Sequence, residues 1–185
     1  MLYIDAEEEQ FAGDVVALMI RHDLDDTDDL LAAATSVDDQ EYRRVRMPGH
    51  QVLSWVGTET TLADVLRHLA LDKLPWLASI DGEDSPDLGG RDDAVTLRRR
   101  HDEIAARWLA TTRAIERRGA WGDRVIDALC DPPESFLFSQ IVAHVLTFSA
   151  HRRQIVRWML TQSGTDVNHL DPDPIIWHRH MSGGL

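Results

Sequence analysis

Cysteine is all but missing from these 185 residues: Cys130 stands alone. That excludes an intramolecular disulfide framework and predicts a reducing, cytoplasmic setting. With no base beside it in sequence, Cys130 reads as a buried, inert thiol rather than a nucleophile. Basic residues are scarce against acidic ones, 19 to 32, for a formal net charge of -13. Nucleic acid, whose phosphates demand a basic surface, is thereby excluded as a partner, and so is an anionic membrane. No apolar run approaches the length needed to span a bilayer. The opening MLYIDAEEEQ is acidic where a secretion signal is basic and then apolar. The expectation is a soluble chain folding as one domain, long enough to bury a full core, with no internal repeat.

Proline and glycine are absent from SFLFSQIVAHVLTFSAHRRQIVRWMLTQS, residues 135–163, which predicts one long helix stopped by Gly164. Apolar residues at Leu137, Ile141, Val145, Phe148, Ile155 and Met159 mark a buried stripe. His144 and His151 fall on that stripe, nearly two turns and about 10 Å apart along the axis. Two histidines on a core stripe read either as hydrogen-bonded core residues or as groups facing a metal or polar pocket.

Three earlier helical segments are expected. Asp5 to about Ser36 carries a stripe of Phe11, Val15, Leu18, Met19, His22, Leu30 and Leu31, with Asp5 as its cap. The run Asp23, Asp25, Asp26, Asp28 and Asp29 reads as a solvated face where the helix is prone to break. A short turn over Asp38 to Arg44 and a loop from Met47 to Thr58 follow. Thr60 or Thr61 then caps a helix with Leu62, Val65, Leu66, Leu69, Trp76 and Ile80 inward and a kink at Pro75 just before Trp76. His68 and Asp72 share a face one turn apart, as an oriented ligand pair or a surface pair. After a loop over 81–92, Asp93 to Arg118 reads as a helix packed through Val95, Leu97, Ile104, Trp108, Leu109 and Ile115, with LRRRHDE solvated. An irregular or hairpin-like excursion leads to the last helix. Beyond Gly164, Trp177 with Ile175 and Ile176 docks a tail whose His178 and His180 are solvated.

Taken together, TLADVLRHLALDKLPWLASIDG, RRGAWGDRVIDALCDPPESFLF and AHVLTFSAHRRQ resemble the DinB-like superfamily, over about residues 10 to 160. The resemblance implies an all-α fold: a single four-helix bundle over 1–185, with an irregular excursion before the last helix and 165–185 as a docked tail. It also implies kinship with thiol-dependent transferases and mycothiol-dependent isomerases, and association as a homodimer, for which Leu74, Leu77 and Trp108 are the expected surface. In that superfamily a divalent metal, often nickel or zinc, is held by one histidine of the second helix and two ligands of the last, commonly His-x-x-x-His-Arg or Glu-x-x-x-His. His68 matches the first ligand, and His151, followed by Arg152 and Gln154, matches the final one. Thr147 stands four residues before His151, where the pattern has His or Glu, and His144 is the substitute.

Three readings follow. The first is a metal-dependent transferase acting through a low-molecular-weight thiol, with His68, His151 and His144 as ligands and His144 also as general base. Asp72, Trp76, Thr147, Phe148 and Arg152 would then line its substrate pocket. The second is a metal-free bundle holding a small molecule over Trp76 and Phe148. The third is a structural dimer in which the same histidines are core hydrogen-bonders.

Overall fold

A computed structural model describes residues 14–54, 56–89, 93–128 and 130–182. The chain is mostly helical, with one small two-stranded sheet. Helix α1 runs Val15–Ala34 and the short α2 Asp39–Tyr42; α3 is Leu62–Leu71, α4 Lys73–Asp81 and α5 Ala94–Arg117. Strands β1 (Arg124–Asp127) and β2 (Glu134–Leu137) precede the long α6 (Phe138–Gln162), and α7 (Pro174–Met181) closes the chain. No helix among the described residues is long and apolar enough to cross a membrane.

Local chemistry sets most of these boundaries. Asp14 caps α1, its carboxylate accepting from the backbone of Val16 and Ala17. The expected cap at Asp5 lies outside the described residues. Thr61 and Asp64 form a capping box on α3. Asp93 caps α5, and Gly119 ends it in the left-handed region that other residues avoid, φ 63°. Gly164, at φ 85°, stops the long last helix as expected. That helix starts three residues later than its apolar pattern suggests, because 135–137 pair with β1 in an antiparallel ladder. The interruption of the second helix falls at Asp72, three residues earlier than the expected kink before Trp76. Pro75 has no N–H to offer the carbonyl of Leu71, so the helix breaks where that bond would have closed.

Helix α1 packs against α5 and α6, and α3 packs against the same two from the other side. Leu30, Leu31, Leu62, Leu66, Leu69, Leu97, Ile115, Val156, Met159 and Leu160 lie fully buried among them. Burying each such side chain contributes about 1.5–3 kcal/mol. Helix α4 lies against β1 and α5, and α7 docks on α1 through the buried Trp177 as expected, whereas Ile175 and Ile176, expected to dock with it, are exposed.

Several expectations of orientation fail. Val15, Met19 and Val95 are exposed, at 71%, 44% and 66%. Leu77 and Trp108, expected on a dimer surface, are buried, and Leu74 packs against the core. Asp23 and Asp26 are buried instead of solvated, α1 continues through them unbroken, and His101 is buried inside the LRRRHDE stretch. In α6 the buried stripe runs Phe138, Ile141, Val142, Val145, Ser149, Arg152, Arg153, Val156 and Arg157. It therefore takes in three arginines and leaves His151 exposed.

Candidate functional site

Those arginines enter the core because partners wait for them there. Arg153 pairs with Asp23 and Asp26, and Arg157 with Asp26. Lys73, the only lysine of the chain, is fully buried, with Nζ 3.0 Å from Asp23 and 3.4 Å from Asp72. Arg152 Nε donates to Glu59 at 2.6 Å, and its Nη1 lies 3.6 Å from Asp72. Four cations (Lys73, Arg152, Arg153, Arg157) thus face four carboxylates (Asp23, Asp26, Glu59, Asp72) between α1, α3 and α6. The balance of charge makes burial tolerable, since removing one partner from such a cluster strands the other.

One end of this network opens on a cleft of about 1220 Å³. Its walls come from α3 and α4, the loop at 53–58, the β-hairpin and the first half of α6. His68 stands in the wall, its side chain 23% exposed, and Glu59 lies behind it with none of its side chain exposed. His68 Nδ1 is 2.7 Å from Glu59 Oε1, and the other Glu59 oxygen accepts the Val52 N–H at 3.1 Å. Burial pushes the Glu59 carboxyl up, but the hydrogen bond from His68 and the charge and hydrogen bond of Arg152 outweigh it and hold it below its ordinary value. An ionised Glu59 only accepts, so the neutral imidazole carries its proton on Nδ1. Nε2 then holds the lone pair, and among the described residues it has no protein partner.

His144 lines the same cleft. Burial lowers its basicity, Asp72 opposes that and the Arg152 charge adds to it, so the ring is neutral at pH 7. It meets Trp76 edge-on at 5.5 Å between centroids and tilts over Phe148 at 4.8 Å. Trp76 in turn meets Phe136 of β2 at 5.8 Å and 87°. Cys130 also faces the cleft, half-buried and not enclosed as expected. Its hydrogen bond to Asp127 at 3.3 Å pushes the thiol up, with burial and the charges of Asp127 and Glu134 adding to the effect, so it stays protonated and inert.

Of the residues singled out in the sequence, His68, Asp72, Trp76, His144 and Arg152 come together around this cleft. Thr147, Phe148 and His151 do not line it. Thr147 is exposed and bonds back to the Ala143 carbonyl at 2.7 Å. His151 stacks on His50, with centroids 6.5 Å apart. Among the described residues no group of three or more His, Cys, Asp or Glu is gathered closely enough to hold a metal ion. His68 and His144 line the cleft while His151 turns to His50, so the three histidines are not gathered at one point.

Sequence reasoning missed Glu59, which sits in a loop two residues before the α3 cap and follows no helical spacing. It missed the cleft's acidic wall as well, because Asp127, Asp131 and Glu134 reach the site only once the hairpin forms. One signal for the buried network was present: a lone lysine in a chain whose other basic residues are all arginine.

The sequence model of the DinB superfamily matches residues 22–156. That stretch holds α1 from its second turn, the loop with Glu59, α3 to α5, the hairpin and α6 through Val156. No curated protein matches the chain, and no solved structure does.

Proposed function

The chain belongs to the DinB superfamily, and on that premise we propose that it is a four-helix-bundle protein of the DinB kind that holds a small molecule in this cleft without a metal, with His68 as its acid–base group. The observation that carries the reading is the buried, ionised Glu59 set 2.7 Å from His68 Nδ1 at the cleft wall. A carboxylate there fixes the ring and its tautomer and stabilises the imidazolium once Nε2 takes a proton from a ligand. Glu59 is the positioning residue; His68 is the group that meets the ligand. Neutral His144 and Trp76 supply the apolar side of the pocket, and Asp72 with Arg152 supplies the polar floor.

The donor set argues against the nickel- or zinc-dependent thiol transfer that the family resemblance implies. That chemistry needs His151 and a second ligand of the last helix turned into the cleft, whereas His151 and Thr147 are exposed. The carboxylates around the cleft also disfavour an activated thiolate.

Imidazole nitrogen NMR on labelled protein tests the reading, together with a small-molecule fragment screen followed by amide and indole shifts. We expect His68 in the Nδ1–H tautomer and hits that move the His68 and Trp76 signals together. An Nε2–H tautomer, or hits that gather on another surface, would remove His68 from the role.

A further inference from the structure

We propose that the ligand of this cleft is a small organic cation, an amine or quaternary ammonium with an apolar body. The proposal rests on the reading of the cleft as the binding site and names the chemistry it selects. Two sets of side chains point to it independently.

The first is aromatic. Trp76 from α4 and Phe136 from β2 both line the cleft and stand at 87° to one another, so their rings form two walls of a corner. His144 extends the Trp76 wall. Burial keeps its ring neutral, so it adds no positive charge to repel a cation. In this edge-to-face pair the edge of one ring rests against the other, and the aromatic surface left along the cleft offers an alkylammonium group a negative quadrupole face.

The second is charge. Five carboxylates line the cleft, those of Asp64, Asp72, Asp127, Asp131 and Glu134, against two guanidiniums, Arg67 and Arg152. Both guanidiniums are already engaged: Arg152 with Glu59 and Asp72, and Arg67 through Nη2 with the Leu88 carbonyl at 2.5 Å. An anionic ligand would have to take one of them from its partner. Asp131 and Glu134, by contrast, stand exposed on the hairpin wall and carry no ion pair among the described residues. Glu134 pairs across the ladder with Asp127, so the hairpin sets carboxylates beside the aromatic corner that Phe136, two residues on, helps to build. The chain's net charge of -13 deepens the same field. A concave surface lined with one sign of charge concentrates the opposite ion.

The test uses benzyltrimethylammonium, with phenylacetate and benzyl alcohol as anionic and neutral counterparts, each titrated against the whole chain while the Trp76 indole signal is followed by NMR. We expect the cation to bind at least about tenfold more tightly than phenylacetate and to weaken with added salt. Replacing the two exposed carboxylates, in the variant Asp131→Asn with Glu134→Gln, should weaken the cation about three- to tenfold and leave benzyl alcohol unchanged. Because both side chains are solvent-exposed, the fold should survive the change. Phenylacetate binding as tightly as the cation, or a double variant that binds it unchanged, overturns the proposal. If phenylacetate or benzyl alcohol binds at Trp76 at least as tightly as the cation while His68 shows the Nδ1–H tautomer, only the cation class is lost and the acid–base cleft stands. No shift at Trp76 with any probe, together with the Nε2–H tautomer, removes both.

Discussion

Replacing Glu59 by Gln tests the centre of the argument, because the change keeps the side chain's shape and removes only its charge. In the parent protein Glu59 accepts from Arg152 Nε at 2.6 Å, His68 Nδ1 at 2.7 Å and the Val52 amide at 3.1 Å. Glutamine has one acceptor oxygen and brings two donors, so at least one of those bonds is lost and its donor is left facing the amide N–H2. Arg152, whose side chain is 2% exposed, is left with Asp72 at 3.6 Å as its nearest counter-charge. Breaking a buried pair from one side costs about 3–5 kcal/mol. With one acceptor kept, the low end applies, about 3 kcal/mol, which for a chain of this size lowers Tm by roughly 6–12 °C. Thermal unfolding followed by circular dichroism reads that shift directly. Adding Arg152→Met should restore part of the loss, the double variant falling short of the summed single effects by about 1 kcal/mol or more. A Tm within about 2 °C of the parent, or strict additivity in the double variant, would falsify the claim that an ionised Glu59 is the partner of Arg152.

Three further outcomes are expected. Lys73→Met, which leaves Asp23 and Asp72 without their shared ammonium, should cost about 3 kcal/mol in denaturant unfolding; a loss under about 1 kcal/mol would show that Arg153 already suffices for Asp23. Burial, with the Lys73 charge adding, lowers His101 to about 4, so its stabilising effect holds above pH 6.5 and is lost as pH falls toward 4. Burial raises Asp26 to about 6 against the pull of Arg157, so its contribution is present below pH 3.8, is lost as pH rises through 6, and opposes that of His101 over the same window. His101→Leu should therefore lose less Tm than the parent between pH 7 and pH 4.5 in scanning calorimetry, and an unchanged pH slope would contradict the assignment. Thr147→His should create a surface chelate with His151 whose nickel affinity, measured by calorimetry, is the same with or without His68→Ala; dependence on His68 would mean that His151 does reach the cleft.

Apolar spacing and capping chemistry were enough to place the long helical segments, though not the short α7 of the tail. Asp93, Thr61 and Gly164 mark ends that depend only on neighbours a few residues away, and the match of His68 and Asp72 to one cleft wall followed from their spacing of one turn. The sequence motif around His151 likewise pointed to the right family. What spacing misread was the rotation of each helix about its own axis. An apolar pattern leaves Arg152 and Arg153 off the core stripe and assigns Asp23 and Asp26 to solvent, because a charge alone is costly to bury. In the folded chain these residues neutralise one another across contacts such as that between Arg153 and Asp23, 130 positions apart. No local window contains both halves of such a pair. Burying them turned α6 so that its arginines face inward and His151 faces out, and folding the hairpin brought Phe136, Asp127 and Glu134 to the cleft. The helices and the family were therefore decided by local sequence, while the cleft, its charge and the partner of His68 were decided by long-range pairing, which only the tertiary structure brings about.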